Sequence, residues 1–223
     1  MKPILRPTTG PDDWRSFLAE PDKQWKLGHS AHALAHRWES ACGLPANVQA
    51  VLGTSSRFRE FELLLAIPEL RVDLPGGQRA SQTDLWLLGR QSDGLVSVAV
   101  EGKVAESFGP TLAEWQVEAS PGKSERLGYL LDVLRLKSPL PPAIRYQLLH
   151  RTASAILLAK RFHAAHSLML VHSFSPEDAS IADYRAFAAL LGVAQSGEGV
   201  LEIPGHQSPT LALAWVRDVA PNA

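Results

Sequence analysis

The chain is short of several things, and each shortage removes a class of protein. Its 223 residues hold a single cysteine, Cys42. That excludes an intramolecular disulfide and suits a reducing compartment, so the expected location is the cytoplasm. Cys42 falls in a helical pattern, where a buried structural thiol is the expected state. No apolar run approaches the roughly 20 residues needed to cross a bilayer, and no membrane partner is expected. The opening MKPILRPTTGPDD has no apolar core of the signal-peptide kind. A large surplus of one charge is also missing. The formal net charge is −1, so the molecule as a whole is not an electrostatic binder of nucleic acid. There is no internal repeat and no low-complexity tract.

The charge that is present is uneven. Between Lys123 and His163 lie eight Lys or Arg and only two carboxylates, Glu125 and Asp132, leaving +6 there and −7 elsewhere. Such a segment either attracts phosphate or is a solvated helix surface. At 45% hydrophobic residues, the composition suits one globular domain over 28–223, with residues 1–27 as an N-terminal extension. Trp14, Phe17 and Trp25 are placed to pin that extension to the body.

Apolar spacing predicts a first helix over HSAHALAHRWESACG, stopped at Gly43, and a short helix from Pro45 to Leu52. Residues 57–70 have Phe58, Phe61, Leu64 and Leu65 at helical spacing. Pro68 then ends that helix or starts a strand. RVDLPGG reads as a short strand closed by a turn. Two strands follow, SQTDLWLLGRQ and LVSVAVEGK. Next come a helix at TLAEWQVEA and a second opened by Ser120-Pro121. The longest helix, AIRYQLLHRTASAILLAKRFHA, precedes the strand SLMLVHSF. A helix capped by Ser175 and two late strands, GVLEIP and TLALAWVRDV, close the chain. The fold class is α/β, with a mixed central sheet flanked by helices.

The richest stretch is Ser81 to Lys103. Successive strand residues alternate faces, so Glu101 and Lys103 share one face, and Asp84 reaches it if the two strands pair. Both faces of the second strand are mostly apolar until Glu101, which marks a central strand. Charges at such a place need partners or a metal. Asp84 and Glu101 can hold Mg²⁺ or Mn²⁺ through oxygen ligands, with the Gly102 carbonyl as a further ligand. Lys103 can orient water or stabilise phosphoryl charge. Glu101-x-Lys103 is the only Asp/Glu-x-Lys in the chain. A structural ion pair at the sheet edge is the competing reading.

Other candidates are weaker. His29, His32 and His36 share a helix face with no further ligand at matching spacing, and a solvated face is expected. Gly122-Lys123-Ser124 imitates a P-loop, but Val117 stands where the pattern needs glycine.

Helix, three-stranded meander, Asp on the second strand, Glu-x-Lys on the third, then helix and strand resembles the PD-(D/E)XK nuclease superfamily, with its restriction-endonuclease-like fold. The similarity runs from about Ser30 to Phe174. It implies metal ligation by Asp84 and Glu101 and catalysis with Lys103. It implies that Glu39 matches the acidic residue of the first core helix. It places Gln147 as the polar residue on the helix after the motif. Thr83 stands where proline precedes the aspartate in the family pattern, and Arg151 stands where a tyrosine follows the glutamine. Gln147 and Arg151 share a helix face, and Arg151 suits a phosphate contact. The implied activity is metal-dependent hydrolysis of nucleic-acid phosphodiesters, DNA ahead of RNA. The alternative is a non-catalytic binding or assembly module of the same fold. A homodimer or partner protein fits either.

Overall fold

In the computed structural model, residues 8–193 and 199–221 are described. Six strands form one sheet in the order β1-β2-β3-β4-β6-β5. β1 (Glu62–Val72), β2 (Ser81–Gln91) and β3 (Gly94–Lys103) make an antiparallel meander. β4 (His166–Ser173) runs parallel to β3, and β6 (Thr210–Arg217) parallel to β4. The short β5 (Val200–Ile203) closes the edge antiparallel to β6. Parallel neighbours need a crossover. The β3-to-β4 crossover carries α4 (Leu112–Gln116), α5 (Pro121–Leu134) and α6 (Tyr146–Arg161), and the next carries α7 (Ile181–Leu190).

The two sheet faces bury two cores. On one, Val96, Val98 and Val100 pack with Leu85 and Leu87 beneath Leu34 and Trp38 of α2 (Ser30–Ala41) and Val48 and Leu52 of α3 (Ala46–Leu52). Trp14, from a 3-10 turn at Pro11–Phe17, enters the same core. Phe17 and Trp25 pack half-buried against it, Trp25 lying just after α1 (Pro21–Gln24). This is the pinning expected of the extension, of which residues 1–7 lie outside the described set. On the other face, Met169, Val171 and Leu213 pack against Leu148, Leu149 and Ile156 of α6 and Phe187 of α7. One polar tie fixes α6 to the sheet. The Trp86 indole donates to Ser97 Oγ at 2.9 Å, and Ser97 donates to the Ala155 carbonyl at 3.1 Å.

Several local expectations change. Residues 62–72 are a strand, not a helix. Pairing with β2 from Glu62↔Arg90 to Val72↔Ser81 overrides the helical spacing of the phenylalanines and leucines. Pro68 is tolerated because β1 is an edge strand with one unpaired side. The last helix starts at Ile181 rather than after Ser175. Asp178 (φ 52°) and Ser180 (φ 69°) hold left-handed backbone that breaks the intervening turn, while Ser175 Oγ accepts from the Ala179 N–H. The helix at 111–119 is confined to α4, behind a Thr111–Glu114 capping box. α2 ends on Cys42 in left-handed conformation (φ 50°), one residue before the expected glycine. Its thiol is exposed rather than buried.

The loop after β1 is locked to α5. A Cβ on Gly76 (φ 77°) would lie 2.0 Å from the Gly122 carbonyl oxygen and 2.8 Å from the Arg126 nitrogen. Both are backbone atoms, so neither can step aside. Gly76→Ala is therefore expected to destabilise the protein by about 1–3 kcal/mol through overpacking, with added strain from the positive φ. Urea denaturation measures this; an unchanged midpoint would mean that the contact is not tight.

Candidate active site

The β2–β3 ladder ends at Leu85↔Val100. Asp84 and Glu101 are the next residues out on each strand, and alternation turns both toward α6. β3 itself continues against β4 as far as Lys103↔Ser173. On its other side, the freed Gly102 N–H donates to Asp84 Oδ2 at 2.9 Å. The absent side chain matters there. A Cβ on Gly102 would touch Ser30 Cβ and O, each at 3.4 Å, so the glycine lets the start of α2 approach the strand.

Glu101 is the hub, with 2% of its surface exposed. Its Oε1 accepts from Lys103 Nζ and from Gln147 Nε2, both at 2.7 Å. Its Oε2 accepts from Arg151 Nε at 2.5 Å. The same guanidinium places Nη2 3.7 Å from Asp84 Oδ1 and donates through Nη1 to Ser81 Oγ at 3.3 Å. Lys103 also donates to Gln147 Oε1 at 3.2 Å. Gln147 and Arg151, one turn apart on α6, thus both reach the cluster. Gln147 is engaged on Glu101 and Lys103, and Arg151 on the two carboxylates.

Two carboxylates join that sequence reasoning did not single out. Glu69 lies between the pairs Pro68↔Leu85 and Leu70↔Thr83, opposite Asp84. It has φ 53° within a strand, a strained state for a non-glycine residue. Its buried carboxylate accepts from Gln82 Nε2 at 2.7 Å. The helix expected over 57–70 concealed it. Glu106 accepts from the N–H groups of Ser30 (2.7 Å) and Val104 (2.8 Å), fastening the start of α2 to the end of β3.

Glu39 is not brought to the cluster. Nine residues beyond Ser30, it lies about 13 Å further along α2 at 1.5 Å per residue. Its carboxylate accepts from the Trp14 indole at 2.8 Å and holds the N-terminal extension. Trp38 beside it is a core anchor, with its indole donating to His172 Nδ1 at 3.2 Å. The histidine face of α2 is half-buried, with His29, His32 and His36 each partly exposed. His32 and His36 stack at 4.2 Å between ring centres, and Trp25 packs over both.

Glu69, Asp84, Glu101, Lys103 and Arg151 line a cleft of about 240 Å³, with Glu106 and the start of α2 at its wall. Three inner carboxylates share the cleft with Lys23, Lys103 and Arg151, and burial above all, with repulsion between the carboxylates, shows in the pKa values. Burial and the neighbouring Glu101 push Asp84 up to about 7. Burial and Asp84 push Glu69 well above the carboxylate range. Burial acts on Glu101 as well, but Arg151 and Lys103 outweigh it and hold Glu101 near 2. Burial and the adjacent Arg151 keep His150 neutral.

The donor set fits a hard divalent cation. It offers the carboxylate oxygens of Glu69, Asp84 and Glu101, the hard donors such an ion takes, beside the cations Lys103 and Arg151. Among the described residues, no three His, Cys, Asp or Glu side chains converge as a metal site. A cation would therefore take Asp84 and Glu101, complete its shell with water or substrate oxygens, and compete with Arg151 for both. The Gly102 N–H, rather than its carbonyl, makes the observed contact here.

A family model described as "Domain of unknown function (DUF6946)" matches residues 7–220. No curated protein and no solved structure matches the chain.

The shifted Asp84 gives the site a pH signature. A carboxyl whose folded pKa exceeds its unfolded value holds its proton preferentially in the folded state. Stability then falls as pH rises from the ordinary aspartate range, about 4, to about 7, and is level above that. Glu101 has the opposite sign, and its contribution changes only below its ordinary range. Asp84→Asn is expected to make the decline in unfolding free energy between pH 4.5 and 7 shallower than in the parent protein. Equal slopes in urea titrations of the two would contradict the assignment.

Proposed function

We propose that this chain, which belongs to the DUF6946 family, is a metal-dependent phosphodiesterase of the PD-(D/E)XK kind, acting on nucleic acid in the cytoplasm. The observation that carries the reading is the convergence of Asp84 and Glu101 on one guanidinium, with the Lys103 ammonium on the second oxygen of Glu101. The cation there marks where positive charge is needed. The meander with Asp on β2 and Glu-x-Lys on β3, followed by α6 and β4, supports the restriction-endonuclease-like assignment. The lone cysteine supports the location.

Asp84 and Glu101 would hold Mg²⁺ or Mn²⁺, which when bound supplies Lewis acidity toward a phosphate oxygen and its water. The protein's own groups do the rest. Lys103 orients the attacking water and stabilises charge developing on the phosphoryl group. Gln147 fixes the Lys103 ammonium and the Glu101 carboxylate relative to each other. Arg151, once released from the carboxylates, is positioned to bind a non-bridging phosphate oxygen. Glu39 has no part in the chemistry and serves the N-terminal extension.

One observation favours the second reading, a non-catalytic module. All the Glu101 oxygens already have partners, as in a structural ion-pair network.

Activity and cation binding separate the two. Lys103→Ala is expected to lower Mn²⁺-dependent cleavage by about 10²–10⁴-fold with cation affinity retained, because lysine is not a ligand. Asp84→Asn is expected to lose both. Cleavage that persists in EDTA or in Lys103→Ala would contradict the proposal. Arg151→Gln is expected to tighten Mn²⁺ binding by about tenfold, since its competing charge is gone. The same change removes one partner of a buried pair and is expected to cost about 3–5 kcal/mol of cation-free stability. Titration calorimetry and urea denaturation measure the two effects. Weaker Mn²⁺ binding in this variant would mean that Arg151 does not occupy the cation's place.

A further inference from the structure

Beside the acidic cleft lies a second hollow of about 410 Å³, and Lys103, Gln147 and Arg151 line both. Ala80, Pro110, Tyr146 and His150 line that hollow and a third of about 290 Å³. Side by side, the three make an interrupted groove along the N-terminal half of α6. The carboxylates line the first hollow together with Lys23, Lys103 and Arg151, whereas no Asp or Glu lines the second or third among the described residues. Lys103 and Arg151 line the second as well, and Arg79 and Arg126 line the third.

An aromatic platform stands at the far end. Half-buried Trp115 stacks on Tyr146 with ring centres 4.1 Å apart and planes at 11°. Lys123 Nζ lies 5.5 Å from the Trp115 ring centre. Within the basic segment 123–163, Arg135 and Arg145 bond to the Gly205 carbonyl and to Asp183. Arg126 and Arg151 line the hollows, and Lys123 Nζ donates to the Trp115 carbonyl at 2.7 Å. Arg126 donates to the carbonyls of Leu74, Pro75 and Gly77, which fixes its place without cancelling its charge.

We infer that this groove binds single-stranded nucleic acid, with the backbone along the cationic walls and a base at the Trp115–Tyr146 platform. A basic track beside aromatic faces is the chemistry that holds unpaired strands. Depth argues for the same occupant. Glu101 and Lys103 are 2% and 4% exposed at the bottom of the cleft. A thin, flexible strand fits such a depth more readily than a rigid duplex. The inference rests on the phosphodiesterase reading for its orientation, since the acidic end is where the chain would be cut.

Binding is measured in EDTA, by fluorescence anisotropy of one labelled sequence as single-stranded DNA, single-stranded RNA and duplex DNA. Either single strand is expected to bind at least tenfold more tightly than the duplex, and the two single-stranded arms report which sugar is preferred. Trp115→Ala is expected to weaken that binding by about tenfold. Because that change could disturb packing, the exposed Arg79 supplies a second variant. Arg79→Gln is expected to reduce the salt dependence by about 0.7 per lost contact in log–log slope. Equal or tighter duplex binding overturns the inference, as does unchanged affinity in both variants. If strands bind in this pattern but Mn²⁺ gives no cleavage, the groove stands and the phosphodiesterase falls. If only duplex is cleaved and single strands do not bind, the reverse holds.

Discussion

The site depends on one buried carboxylate, Glu101, and on how its charge is met. Lys103, Gln147 and Arg151 all donate to it. Leaving an ion of that kind unpaired in the interior costs several kcal/mol, so the surroundings must supply its partners. β3 delivers Glu101 and Lys103 to one face by simple alternation, and α6 delivers Gln147 and Arg151 one turn apart. The crossover from β3 to β4 exists, in this sense, to lay α6 across the end of β3. Glu69 and Asp84 are buried beside it, and burial, with repulsion between the carboxylates, raises their carboxyl pKa values.

The proposed cation site rests on these raised carboxyls together with the strain at Glu69. Here Asp84 sits near neutrality of titration, and Glu69 is held in left-handed backbone within a strand. Strain and unsettled charge at one spot are features that folds carry where a ligand repays them. The proposed groove continues from there, with the carboxylates at the cation end and Arg79 and Arg126 further along it.

Much of this was legible in the chain. The hairpin of β2 and β3 follows from alternation and from a run of valines, so Asp84, Glu101 and Lys103 could be placed together before any coordinates. Gln147 and Arg151 follow from helical spacing. Glu69 could not be found that way, because its apolar neighbours repeat at helical intervals and only pairing with β2 makes them a strand. Glu39 was drawn to the site by its place on the first helix. The helix does reach the cleft, but with Ser30 at its start, and Glu39 turns to Trp14 instead. Cys42 illustrates the same limit: its helix was legible, but the left-handed cap that exposes the thiol was not.

The central claim is that the carboxylate cluster around Glu101 is built to receive a divalent cation. Calorimetric titration of the protein with Mn²⁺ near pH 7, repeated in buffers of different ionisation enthalpy, measures cation and proton together. The expected result is one cation per chain with proton release, as Asp84 loses its proton to the incoming charge. Absence of binding, or binding without proton release, would contradict the account.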